Sequence, residues 1–349
     1  MRKFLLPLLA APLAFAQSDP SVLLHQTFET STGGWMALGQ GNGIKPAPSG
    51  ALEFDYELAP KHLAAMAMPA PAGLAQAALF RFAVKTDHST AMAMLLNEKK
   101  PGGGNYAAWF WAPAGEWQTV ELRPADFRVT DGEGDPVDAD GKLDLDAVEA
   151  VAILDLTQFF GTLKAETPIP VRIDEASGNH KVLMKDFEML SGPAGQGSAL
   201  DRGFLEWVSP GGMELKLSPA GNPLGVRALE AAYDHRDGQL DLLLRREGGV
   251  RPASLPKPTR IVFDIASERE TTLVLALETK KPGGGAGPRY TMQIYPPGGR
   301  EVFHVDLKLA DFDGPGKFDA DQWRTTAILD VTNADGANRL WISDVHTAP

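Results

Sequence analysis

One segment of this chain is written twice, and that constrains its folding more than any other feature. Residues 82–100 read FAVKTDHSTAMAMLLNEKK and run into PGGG; residues 263–281 read FDIASERETTLVLALETKK and run into PGGG again. AVAILD at 150–155 is answered by TTAILD at 325–330. Phe82, Val84, Met92, Met94 and Leu96 match Phe263, Ile265, Leu273, Leu275 and Leu277. Within each copy the apolar residues alternate with small or polar ones. A period of two belongs to half-buried antiparallel strands, and a copied strand block means a duplicated β domain. The expectation is an all-β protein of two tandem antiparallel β-sandwich domains.

The boundaries follow from composition. Residues 1–16, MRKFLLPLLAAPLAFA, carry two basic residues, an apolar run and a small-x-small end at Ala14-Phe15-Ala16. This is the pattern of a secretory signal peptide cut after Ala16. Its apolar run falls short of the ~20 residues that span a bilayer. Residues 17–190 form the first domain, 191–200 (SGPAGQGSAL) a small, polar linker, and 201–349 the second domain. Expected strands in the first domain are 23–27, 51–58, 77–84, 91–97, 107–111, 118–122, 151–156, 171–174 and 181–189. Those in the second are 213–217, 240–245, 260–265, 271–277, 290–295, 301–306, 326–330 and 340–345. Periplasmic or extracellular placement follows from the signal peptide.

Charge removes several functions. The net formal charge is -12, with no basic run, which disfavours nucleic acid as a partner. No other stretch is apolar enough for an integral membrane segment. The chain has no cysteine, hence no disulfide and no thiol nucleophile. Seven histidines are scattered, without HExxH or a pair at ligand spacing in sequence, and GxSxG is absent. A glycosidase would need opposed carboxylates across a cleft, which abundant acids alone do not supply.

Binding remains. Trp109 and Trp111 are two apart on one strand face, where indoles serve either as core or as a platform for a sugar ring. Asn97 and Glu98 sit close by. Asp155 and Asp330 end the shared AILD strands, as ligand contacts or as caps. The repeated KKPGGG is a turn or a backbone cradle. Asp131, Glu133, Asp135, Asp138 and Asp140 form an acidic loop, solvated or calcium-binding, without EF-hand order. Glu29 and Asp186 offer a second acidic pair near the ends of the first domain.

Phe28-Glu29 with Gly34-Trp35, the run from Trp117 to Asp126-Phe127, and Lys185-Asp186-Phe187 carry a family likeness. In these the chain resembles galactose-binding-like jelly rolls, in particular the complex I intermediate-associated protein domain and family eleven carbohydrate-binding modules. The second domain keeps Asp311-Phe312 and Ser343-Asp344-Val345 but has Gly299 or Arg300 where the first has Trp117. The resemblance implies a glycan bound on a concave sheet, with Asn97, Trp109, Trp111 and Asp155 as its contacts. It also implies a structural calcium held by Glu29 and Asp186. The expected activity is non-catalytic recognition of a polysaccharide or glycoconjugate; the alternative is an envelope protein partner and a scaffold role.

Overall fold

The computed structural model describes residues 21–349 except 60–61, 100, 131–134, 137, 139, 161–177, 193–197, 204, 212, 248–256 and 282–283. The signal-peptide expectation, the strand expected at 171–174, and Asp131 and Glu133 therefore lie outside the described residues. No helix among those residues is long and apolar enough to cross a membrane.

Four antiparallel sheets carry the described residues. Sheet I runs Gly43–Ala47, Ala51–Leu58, Gly178–Ser191, Leu79–Thr86, Gln118–Leu122, with Ser21–Gln26 also paired to Gly178–Ser191. Sheet II runs Arg128–Val129, Asn105–Ala112, Thr90–Glu98, Val148–Asp155, Ala65–Pro69, Met36–Leu38. Sheet III runs Trp207–Val208, Asp241–Arg246, Trp323–Asp330, Leu273–Lys280, Ala286–Ile294. Sheet IV runs Glu214–Ser218, Ala228–His235, Gly336–Ile342, Arg260–Ser267, Val302–Lys308, with His346–Ala348 also on Arg260–Ser267.

Alternation sets the layers. Phe80, Phe82 and Val84 of sheet I and Met92, Met94 and Leu96 of sheet II all point inward and are buried in one apolar cluster. Their sequence partners Phe263 and Ile265 of sheet IV and Leu273, Leu275 and Leu277 of sheet III do the same in the other half. Each half is thus a sandwich in which successive side chains leave opposite faces of a strand. Aromatic edge contacts close the first core, with Trp35 against Phe187 at 5.3 Å and Phe82 against Phe110 at 5.7 Å between ring centroids.

The strands that flank the KKPGGG repeat pair antiparallel in both halves, Thr90–Glu98 with Asn105–Ala112 and Leu273–Lys280 with Ala286–Ile294. Gly102 has φ 71° and Gly284 φ 100°, a region in which a Cβ is strained.

The outward faces of sheets II and III are covered over part of their length. Cross-strand register places Trp109, Ala93, Leu154, Ala65 and Leu38 in one row on the outward face of sheet II. Trp111 and Ala91 form the next row. The alanines keep this face low, so a further layer can approach closely. Ala65, Ala91, Ala93, Trp111 and Leu154 are buried in the same apolar cluster as the second half's core. Leu242, Leu244, Ala276 and Leu329, on the outward face of sheet III, belong to it too.

Polar contacts tie the halves at this junction. The Trp111 backbone N–H donates to Leu205 O at 3.2 Å. Arg202 forks onto the Asp126 carboxylate at 2.8 and 2.9 Å and donates to Glu121 O at 2.7 Å. Arg246 donates to Val129 O at 3.0 Å, and Ser89 to Glu214 at 2.7 Å.

Candidate functional site

The outward face of sheet II grades from apolar to polar along its strands. At the apolar end Trp111 is 2% exposed. This corrects the expectation of an open aromatic strand: the second half covers the indole that was to meet a ligand. Trp109, one row away, is only half-buried, and the Arg246 guanidinium lies over its ring at 5.7 Å. Asn97 and Asn105 face each other across the strands at the polar end, with Asn97 Nδ2 donating to Asn105 Oδ1 at 2.7 Å. Both are half-buried. The structure therefore keeps Asn97 and Trp109 on one partly open face and adds Asn105 and Arg246. Arg246 lies 137 residues from Trp109 (246 − 109), beyond any sequence motif.

Asp155 is elsewhere. It is 1% exposed and points into the first sandwich, so the expected position on a concave binding face is corrected. Its carboxylate accepts from Tyr56 at 2.8 Å, from the Thr90 hydroxyl at 3.0 Å, and from the Thr157 backbone N–H at 2.8 Å. Burial alone would raise its pKa; protons from His88, Thr157 and Tyr56 outweigh that and hold it below the usual carboxylate value. Burial and the Asp155 charge together push the Tyr56 phenol well up. The capping alternative read from the sequence describes this residue.

Beside Asp155 lies a cluster that sequence reasoning missed. His88 Nδ1 is 2.8 Å from Asp87 Oδ1, and His180 Nδ1 is 3.8 Å from the same oxygen. The two imidazoles stack with centroids 3.7 Å apart. His88 Nε2 is 3.6 Å from Asp155 Oδ2. Burial works to lower His88, but the Asp155 and Asp87 carboxylates outweigh it and raise its pKa. For His180, burial and the neighbouring His88 charge lower it. Ninety-two residues separate the histidines (180 − 88). The turn after Leu79–Thr86 and the neighbouring strand Gly178–Ser191 bring them together, a pairing that ligand spacing in sequence cannot show.

Asp87, His88 and His180 are the one group of three among the described residues whose ligand atoms converge as a metal site requires. Glu29 and Asp186, expected to hold calcium, are both exposed and belong to no such group. Asp186 lies 3.9 Å from His25 instead. It sits at φ 53° where the strand register shifts between Lys185 and Glu188, and this shift returns Phe187 to the core. In the acidic loop, Asp138 accepts from the Tyr106 hydroxyl and from the backbone N–H groups of Asp140 and Gly141, both at 3.0 Å.

No protein-family model matches this chain, and no curated protein does. Among solved structures it is similar to the family 11 carbohydrate-binding module of the cellulosomal cellulase Lic26A-Cel5E of Clostridium thermocellum. That likeness has 16% identity and TM-score 0.33 and covers 41% of this chain and 87% of the other. The tandem CBM22 domains of Paenibacillus barcinonensis Xyn10C match at 11% identity and TM-score 0.32, over 96% of this chain and 99% of theirs. An exo-beta-agarase matches at 13% identity and TM-score 0.34, over 51% of this chain and 26% of the enzyme. At these TM-scores the likenesses carry no argument about a ligand, and the sandwich assignment rests on the sheets themselves.

Proposed function

We propose that this is a secreted, non-catalytic carbohydrate-binding protein, released from its leader after Ala16. Its recognition surface is the polar end of the outward face of sheet II, with Asn97, Asn105 and Trp109 from the first half and Arg246 from the second. The observation that carries the reading is the Asn97–Asn105 amide pair on the same face as the partly buried Trp109. Amide groups donate to and accept from hydroxyls, and an indole packs against the C–H face of a sugar ring. Arg246 beside the indole suits a glycan carrying a carboxylate or sulfate.

The test is depletion by insoluble polysaccharides, followed by affinity electrophoresis in gels cast with soluble acidic and neutral polysaccharides. Trp109→Ala and Asn97→Ala should each abolish retardation while remaining folded by far-UV circular dichroism. Unretarded wild-type protein in every gel would end this reading.

A protein-contact reading has one observation in its favour. Met36, Leu63 and Phe159 stay exposed beside the edge strands of sheet II. Against it, an apolar rim of this size is ordinary for a soluble surface.

A further inference from the structure

The duplication supplies an internal control. In the first half Tyr56 bonds Asp155, Thr90 bonds Asp155, and His180 stands opposite Tyr56 in the sheet. In the second half Tyr233 bonds Asp330 at 2.6 Å, Thr271 takes the place of Thr90, and Asn338 stands opposite Tyr233. One buried tyrosine–aspartate pair thus sits at the same end of both sandwiches.

The surroundings differ in a way that matters. In the second half Asn338, Arg269 and His235, the side chains beside that pair, are each hydrogen-bonded. Asn338 donates to Tyr233 at 3.0 Å and to Thr271 at 3.2 Å, and accepts from Ser267 at 3.1 Å. Arg269, matching His88, donates to Gly336 O at 3.0 Å and Ala334 O at 2.7 Å. His235 uses both ring nitrogens, one on Asp241 and one on Thr332 O, each at 2.7 Å. In the first half His180 Nε2 is buried without a hydrogen-bond partner, and His88 Nε2 stops at 3.6 Å from Asp155 Oδ2, beyond hydrogen-bond distance. Their Nδ1 atoms instead converge on a single carboxylate oxygen, Asp87 Oδ1. Two stacked imidazoles and one shared oxygen make a poor hydrogen-bond network, because one acceptor serves two rings that repel when both are protonated.

We propose that Asp87, His88 and His180 bind a divalent transition cation of the zinc class, through the two Nδ1 atoms and the Asp87 carboxylate. One ligand atom from each of the three residues lies within 4.8 Å of the others, and the two Nδ1 atoms stand 2.8 and 3.8 Å from Asp87 Oδ1. Around an ion with bonds of about 2.0–2.1 Å, tetrahedral neighbours stand roughly 3.3 Å apart, so the two stacked rings must turn and draw in to close the site. Two imidazoles with one carboxylate suit zinc better than calcium, which takes six to eight oxygens.

The second layer fits as well. A ligating histidine ordinarily directs its other ring N–H at a carboxylate, which fixes the ring. His88 directs Nε2 at Asp155, itself held by Tyr56, Thr90 and Thr157. Asp87 is anchored by its backbone N–H on Lys181 O at 3.2 Å, and its side chain is 45% exposed, which leaves a path from solvent. Three protein ligands leave a coordination position for water or an external group. The site stands apart from the proposed glycan surface and does not depend on it.

The test titrates the chelator-stripped protein with zinc by calorimetry, and with cobalt by visible absorption. One equivalent should bind, cobalt should give the d–d band of a low-coordinate centre, and zinc should raise the melting temperature. His180→Asn copies the residue the second half carries at that place and should fold; Asp87→Asn changes an exposed side chain. Each should weaken binding at least tenfold, while His346→Ala, at an exposed histidine elsewhere, should not. A wild-type protein that takes up no zinc at one equivalent, or binding equally strong in His180→Asn and Asp87→Asn, would overturn the assignment.

Discussion

Replacing Trp111 by alanine separates two accounts of its strand. Burying an indole removes roughly 200 Å² from water, about 5 kcal/mol at 25 cal/mol per Å² as an upper bound. Core Trp→Ala substitutions cost about 3–5 kcal/mol once partial collapse of the cavity is included. At 2% exposure, with alanines beside it in the sheet and the 205–208 segment against it, Trp111 has little room to collapse. A loss of about 4 kcal/mol is expected, seen as a lower urea midpoint. In a thermal scan it amounts to a drop of roughly 8–16 °C for a unit of this size. Trp109→Ala, at a partly buried indole, should cost less, about 2–3 kcal/mol by the same area argument. The assay is urea unfolding followed by tryptophan fluorescence and far-UV circular dichroism on both variants. If Trp111→Ala unfolds within about 1 kcal/mol of wild type, the indole is not held between the halves and the burial argument fails.

Asp155→Ala leaves the Tyr56 and Thr90 hydroxyls and the Thr157 N–H without their acceptor, and should cost about 3–5 kcal/mol by chemical denaturation. Asp330→Ala should behave alike, because Tyr233 and Thr332 depend on it in the same way. Arg202→Ala removes one partner of a largely buried fork on Asp126 and should lower stability by about 2–4 kcal/mol; recovery in Arg202→Lys should be partial, since an ammonium cannot fork. Acid should destabilise the fold. Asp155 and Asp87 lie below their unfolded values, so their stabilisation is full above about pH 4 and is lost as pH falls through the folded pKa values. The raised His88 acts oppositely: its contribution is full below about pH 6.5 and fades as pH rises through its folded pKa. Melting temperature against pH should therefore fall steeply on the acid side and gently above neutrality, and the gentle limb should vanish in His88→Ala.

Much of the fold was legible because strand alternation is a local property. Phe80, Phe82 and Val84 and their copies announce an inward face without reference to anything distant. Two central strands escaped, Ala65–Pro69 (AMAMP) and Ala228–His235 (ALEAAYDH). Both are rich in alanine, which carries little strand preference, so only the packed sheets reveal them. The site was harder to read for the same reason. That Trp109 and Trp111 share a face was readable from spacing; that the second half covers Trp111 and leaves Trp109 half open depends on how the halves meet. His88 and His180 illustrate the limit most plainly: strand pairing, not sequence spacing, makes them neighbours.

A glycan array probed with the wild-type protein and with Trp109→Ala tests the central claim most directly. The account predicts a defined set of glycans, enriched in acidic ones because of Arg246, bound by wild type and lost in the folded Trp109→Ala variant. Absence of wild-type binding across neutral, acidic and microbial glycans, or binding untouched by Trp109→Ala, would contradict it.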